Sequence, residues 1–143
     1  MPRGVLVARS VTGVLFLAQL VLGIVFWTGH ALSLTSLHMA MGLAFVLSLW
    51  TLAGLSRRAG APTGPVVATI VMGVLVLVVG MVQRDLLPGP MHWTIRVLHL
   101  LLAMAAMAFA GRLTMSLRGT GRGRGDEGRG ATDAGALAGR GRP

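Results

Sequence analysis

Two of the four histidines occupy corresponding positions in the two halves of the chain, and histidine is the residue type here best suited to chemistry. His38 lies near the start of one long apolar segment, and His99 lies near the start of another. Neutral imidazoles at one depth on two helices suit the two axial positions of a heme iron, which takes ligands from opposite sides of a planar group. We therefore expect His38 and His99 to ligate a heme.

Three further residues are candidates for the edge of the same site. His92, Arg96 and His99 fall on nearly one helical face, because they are spaced by four and three residues. A cation is costly inside a membrane, so Arg96 is expected to have an anionic partner such as a heme propionate. His92 is expected to help hold the propionate edge, either directly or with His30 through water. The alternative without a cofactor is that His30 and His92 contact lipid headgroups.

Two other interpretations of His38 and His99 remain open. The imidazoles would form hydrogen bonds between helices, or they would bind copper(I) with the thioethers of Met39, Met41 or Met91. Methionine also commonly fills gaps between helices, so it does not select copper by itself. The sequence has no cysteine, which excludes disulfides, thiolate metal sites, iron–sulfur clusters and heme attached through thiols.

The composition places these histidines in a membrane. Hydrophobic residues make up 54% of the 143 residues and charged residues only 12%. A soluble domain has about a quarter of its residues charged. No charged residue lies between Arg9 and Arg57, and this stretch is too long for one crossing of about 20 residues. The chain must therefore fold back once near residues 29–36.

The lengths of the apolar segments and the turns between them predict four membrane spans, at about 11–28, 36–55, 66–82 and 92–113. All four are expected to be helices, because a segment in lipid must satisfy its own backbone hydrogen bonds. The predicted fold is an all-α integral membrane four-helix bundle within residues 1–118. If the core of the second span starts near Ser36 and that of the fourth near Thr94, His38 and His99 lie at matching depths, about 3–8 Å below the membrane boundary at about 1.5 Å per residue.

Arginine placement predicts the orientation of the bundle. The chain ends and the middle loop contain Arg3, Arg9, Arg57, Arg58, Arg112 and Arg118. The other two loops contain only Arg84, next to Asp85. The positive-inside rule then places both termini in the cytoplasm and the histidines toward the outer face, with a bacterial plasma membrane as the expected location. Alternatively, the first span is a cleaved secretory signal ending near Ala31.

Residues 119–143 differ sharply in composition from the rest of the chain. They are rich in glycine and arginine and have almost nothing apolar to bury, which predicts a disordered cytoplasmic tail. Arginine–glycine tracts can bind RNA, but a cationic tail beside anionic lipid headgroups is the favoured interpretation. No specific nucleic-acid partner is expected.

On these features, the segment from Val11 to Leu113 resembles one half of the heme A synthases and, more loosely, small membrane b-type cytochromes. The resemblance rests on four helices with His38 and His99 near the outer ends of the second and fourth. It implies a four-helix unit in which these two histidines are the ligand pair of a heme b.

The function expected from the sequence is electron transfer or heme handling near the outer face of the membrane. Two histidine ligands fill both axial positions of the iron, which favours an electron carrier over a stand-alone enzyme. Quinone or a respiratory-chain protein is the expected partner, and an oligomer is compatible with the sequence. The alternative is a non-catalytic membrane scaffold or accessory subunit with structural histidines.

Overall fold

The chain folds into four long helices. The computed structural model describes residues 1–87 and 89–139, and the side chains of residues 1–87 and 89–117. The elements are α1 (Arg3–Trp27), a short 3-10 helix (Leu32–Leu34), α2 (Thr35–Arg58), α3 (Thr63–Val82) and α4 (His92–Gly139). These described residues contain no strand. The prediction of an all-α, four-helix protein is therefore confirmed.

Each helix contains a segment long and apolar enough to cross a membrane. These segments are Arg3–Trp27, Leu32–Arg58, Thr63–Val82 and His92–Leu117. The predicted spans fall within them, except that Thr28 lies just after α1. Helix α1 begins eight residues before the predicted span, since Pro2 occupies its N-cap and arginine is a good helix former.

Glycines reverse the chain after α1 and after α2. Gly29 and Gly60 both have positive φ, at 79° and 92°. The N–H of His30 donates to the carbonyl of Val25 at 3.3 Å, and an equivalent bond follows Gly60. This Schellman arrangement satisfies carbonyls at the helix end and turns the chain tightly, so consecutive helices pack side by side.

The helices form a ring in which α1 packs on α2, α2 on α3, α3 on α4 and α4 back on α1 and α2. We call the end that holds residues 28–34 and 83–91 the two-loop end. The opposite end, with residue 3, residues 59–62 and residues 112–117, is the one-loop end. The buried side chains concentrate in the middle of the bundle and toward the one-loop end: Val5, Ala8, Phe45, Val46, Leu49, Leu52, Ala53, Val66, Val76, Ala106, Ala110 and Leu113.

Near the two-loop end, Ile95 is the buried apolar side chain. Small alanines at 106 and 110 let α4 approach α2 further toward the one-loop end. Toward the two-loop end the four helices enclose a cavity.

Helix α4 continues up to Gly139, into the segment for which the sequence predicts a disordered tail. Residues 140–143 lie outside the described residues. The description of side chains ends at residue 117, so the predicted lack of packing between residues 119–143 and the bundle stays a prediction.

Candidate functional site

A cavity of about 430 Å³ lies between the four helices at the two-loop end. This volume is within the range of about 300–1,000 Å³ that is usual for sites of small molecules and cofactors. We call it the histidine cavity. Its walls are mainly aromatic and aliphatic, and its polar lining consists chiefly of Gln19, His38, Arg84, His92, Arg96 and His99.

His38 enters the cavity from the first turn of α2. Its ring is half-buried and meets the ring of Phe26 edge-on, with a centroid distance of 5.3 Å. The Nδ1 atom is fully enclosed and has no hydrogen-bond partner. Nε2 is not among the enclosed atoms, and it makes no hydrogen bond within residues 1–87 and 89–117.

Gln19 connects α1 to the turn that carries His38. Its Nε2 donates a 3.0 Å hydrogen bond to the main-chain carbonyl of His38. Gly42, one turn further along α2, permits this contact, because a Cβ at position 42 would lie 2.7 Å from the Gln19 Nε2. The Oε1 of Gln19 is enclosed without a partner. The carboxamide of Gln19 thus positions the backbone at His38.

His99 enters the cavity from the third turn of α4 and packs on α3. A Cβ at Gly80 would lie 2.9 Å from the His99 Cε1, so glycine is what allows the imidazole to occupy this position. The ring is half-buried, and its Nδ1 is enclosed without a partner. As at His38, Nε2 is not among the enclosed atoms.

The two imidazoles line the same cavity. They come from α2 and α4, so two helices present them to one space. Within residues 1–87 and 89–117, neither ring nitrogen of His38 or His99 makes a hydrogen bond. Two unpartnered imidazoles in an apolar site are suited to binding a ligand through nitrogen lone pairs.

Arg96, His92 and Arg84 lie where the cavity opens at the two-loop end. The same three side chains also line a shallower, largely open space of about 520 Å³, with Gly89, Pro90 and Trp93. We call this space the mouth pocket. The His92 Nδ1 lies 3.2 Å from the carbonyl of Leu86, which connects the start of α4 to the preceding loop.

His30 is the one predicted site residue that does not line the histidine cavity or the mouth pocket. It is exposed in the connection after α1, where its Nδ1 lies 3.0 Å from the Thr28 hydroxyl. That hydroxyl also donates to the carbonyl of Val25. The structure therefore gives His30 a local contact at the C-terminus of α1 and keeps it apart from His38, His92, Arg96 and His99.

Sequence reasoning missed Arg84, Gln19 and Gly42 as parts of this site. Gln19 is the one amide side chain within the first apolar segment, and Gly42 follows His38 by one helical turn. Both residues can be singled out in the sequence. Their contact, however, depends on the rotation of α1 and α2 about their own axes. Arg84 follows α3, and it lines the same opening as Arg96 only because the connection between α3 and α4 folds back.

The donor set restricts which metal groups fit. Within the described residues, no cluster of three or more His, Cys, Asp or Glu side chains is arranged to hold a metal ion. A heme iron is held by its macrocycle and requires only axial ligands from the protein, which two histidines supply. For the copper(I) interpretation, Met39 lines the histidine cavity, whereas Met41 and Met91 do not.

Comparison with protein-family models, curated proteins and solved structures finds no match to this chain. The resemblance to heme A synthases therefore stays a prediction from topology and two histidines. Any function has to be supported by the geometry of the histidine cavity itself.

Proposed function

We propose that this chain is a multi-pass membrane protein that binds heme b at the two-loop end, for electron transfer or heme handling. The observation that supports the proposal is the placement of His38 and His99. They lie on different helices and line one cavity, and their ring nitrogens make no hydrogen bond among the described residues. An apolar cavity with two such imidazoles matches the donor set of a bis-histidine heme.

The residues present fit this group in three respects. Aromatic and aliphatic side chains, including Phe16, Phe45 and Leu100, give the cavity apolar walls for a macrocycle. His38 and His99 offer the two nitrogens. Arg96 and His92 lie at the opening, where the anionic propionates of a porphyrin would meet cationic and hydrogen-bonding side chains.

Each residue then has a defined role. His38 and His99 would hold the iron, Gln19 holds the turn that carries His38, and Arg96 would bind a propionate with His92 beside it. When bound, heme supplies one-electron redox chemistry. With both histidines holding the iron, the site would favour electron transfer over direct chemistry on oxygen.

The proposed topology places both termini in the cytoplasm of a bacterial cell and the histidine cavity near the outer face of the plasma membrane. The support is the charge distribution: Arg3, Arg9, Arg57, Arg58 and Arg112 lie toward the one-loop end. A heme at the outer end leaves much of the hydrocarbon core, about 30 Å thick, uncrossed. We therefore propose quinone or a respiratory-chain protein as the electron partner.

Visible spectra of the purified protein test this function. Expression with heme supplied should give a low-spin spectrum whose bands shift on reduction by dithionite. Anaerobic addition of a quinol analogue to the oxidised, heme-loaded protein should reduce it. A wild-type protein that contains no heme under these conditions would refute the heme proposal.

The second candidate function is a membrane scaffold or accessory subunit. The bond from Gln19 to the carbonyl of His38 favours it, because that bond joins two helices without a cofactor. The imidazole rings weigh against it: a structural histidine would be expected to donate or accept between helices, and neither ring does so within residues 1–87 and 89–117. Folding and insertion without heme would support this second function.

A further inference from the structure

Two arginines from different parts of the fold line the mouth pocket. Arg84 follows the C-terminus of α3, and Arg96 lies in the second turn of α4. Both side chains line the histidine cavity as well as the mouth pocket. The two cations therefore lie at the boundary between an apolar space and one that is open to the surroundings.

Neither guanidinium is neutralised by the protein in the part of the chain whose side chains are described. Asp85 is the sole carboxylate side chain in that part, and neither arginine has an ion-pair partner there. Both arginine side chains are exposed at this opening. Their guanidinium groups are therefore available to pair with anionic groups that a ligand brings to the edge of the cavity.

We infer that Arg84 and Arg96 bind the two carboxylates of one amphipathic ligand whose apolar body lies in the histidine cavity. The inference rests on the proposed function and deepens it, because it assigns Arg84 alongside Arg96 to the two propionates of a porphyrin. Guanidinium groups bind carboxylates through charge-assisted and often bidentate hydrogen bonds. A ligand with two carboxylates offers each guanidinium its own bidentate partner.

This arrangement separates two contributions to binding. His38 and His99 contact the metal, whereas Arg84 and Arg96 contact the anionic edge of the ring system. A dicarboxylate porphyrin without iron should therefore still bind. Phosphate groups of lipids offer guanidinium the same kind of partner, so the experiment has to distinguish a porphyrin carboxylate from a lipid headgroup.

The test compares iron-free protoporphyrin IX with its dimethyl ester, which has the same ring and no negative charge. Binding to the full-length protein in phosphatidylcholine nanodiscs is followed by porphyrin fluorescence. Wild type should bind the free acid at least about tenfold more tightly than the ester, since one tenfold step corresponds to a single charged hydrogen bond. Arg84→Gln and Arg96→Gln should each weaken binding of the free acid about tenfold and leave the ester unaffected.

A matched control removes two exposed arginines from the one-loop end. Arg9→Gln with Arg58→Gln changes the net charge equally and should leave both affinities unchanged. Equal affinity of wild type and the Arg84→Gln/Arg96→Gln variant for the free acid would overturn the inference. If the affinities are equal and the variant also retains phosphatidylglycerol more weakly, the arginines bind lipid headgroups instead.

The results that test this inference can be told apart from those that test the proposed function. If wild type shows no bis-histidine heme spectrum but binds iron-free porphyrin with dependence on both arginines, the inference stands and axial ligation is wrong. If the heme spectrum is present and the double arginine variant binds free acid and ester as wild type does, the inference alone is overturned.

Discussion

The imidazole of His99 lies directly against Gly80 of the neighbouring helix. A Cβ at position 80 would be 2.9 Å from the Cε1 atom and 3.7 Å from Nε2. The first distance is shorter than real contacts allow, so a methyl group there must displace the ring. The position of one proposed axial ligand therefore depends on the absence of a side chain on another helix.

Gly80→Ala should perturb the heme spectrum while Gly73→Ala should not. The two glycines lie two turns apart on α3, and each meets an aromatic side chain: a Cβ at Gly73 would be 2.6 Å from the Trp50 Nε1. Each substitution overpacks the bundle and should cost about 1–3 kcal/mol of stability. Only Gly80→Ala displaces His99, so low-spin bands should weaken in that variant alone; equal spectra in the two variants would contradict this arrangement.

Replacing either proposed ligand should remove the bis-histidine spectrum. His38→Ala and His99→Ala each delete one imidazole of the cavity, whereas His30→Ala removes a side chain outside it. We expect loss of the low-spin spectrum in the first two variants and a nearly wild-type spectrum in the third. Electron paramagnetic resonance of the oxidised proteins provides the measurement.

His92→Ala serves as the comparison for ligand assignment on α4. His92 lies at the opening and has a contact with the carbonyl of Leu86, so its loss should leave axial ligation unchanged. If His92→Ala loses the spectrum and His99→Ala retains it, the ligand on α4 is His92, two turns before His99.

Gln19→Leu should alter the surroundings of His38 without deleting the ligand. The variant loses the bond to the His38 carbonyl, and side-chain hydrogen bonds between membrane helices contribute about 0.6 kcal/mol on average. We expect a small loss of thermal stability and a shifted reduction potential with the low-spin spectrum retained. Gly42→Ala should shift the potential in the same direction, because its methyl group displaces the Gln19 amide; an unchanged potential in both variants would exclude the positioning role.

Removal of the residues after Gly119 should leave insertion and the heme spectrum intact. The segment is rich in glycine and arginine and offers no apolar face to the bundle. Thermal unfolding and visible spectra of the truncated protein, compared with the full chain, provide the measurement. A truncated protein that fails to fold would show that this segment packs against the bundle.

Reporter fusions should place both termini in the cytoplasm. A fusion after Arg118 should be active with a reporter that works only in the cytoplasm and inactive with one that requires export. The reason is the excess of arginine at the one-loop end. The opposite result would place the histidine cavity at the inner face and remove the proposed outer-face partner.

The sequence by itself determined the four helices, because uninterrupted apolar segments and the glycines and prolines between them act locally. Gly29 and Gly60 end helices through their own backbone conformations, which requires no knowledge of the rest of the fold. The sequence also predicted that His38 and His99 lie toward the same end of the bundle, because each falls within the first three turns of its helix.

The tertiary structure decided which of these residues meet. The rotation of each helix about its axis depends on side chains distant in sequence, such as the alanines and leucines buried at the one-loop end. That rotation turns His38 and His99 toward one cavity, places Gln19 against Gly42 and His99 against Gly80, and leaves His30 outside. The connection between α3 and α4 brings Arg84 to Arg96, because the opening is formed by the folded connection and not by a spacing along one helix.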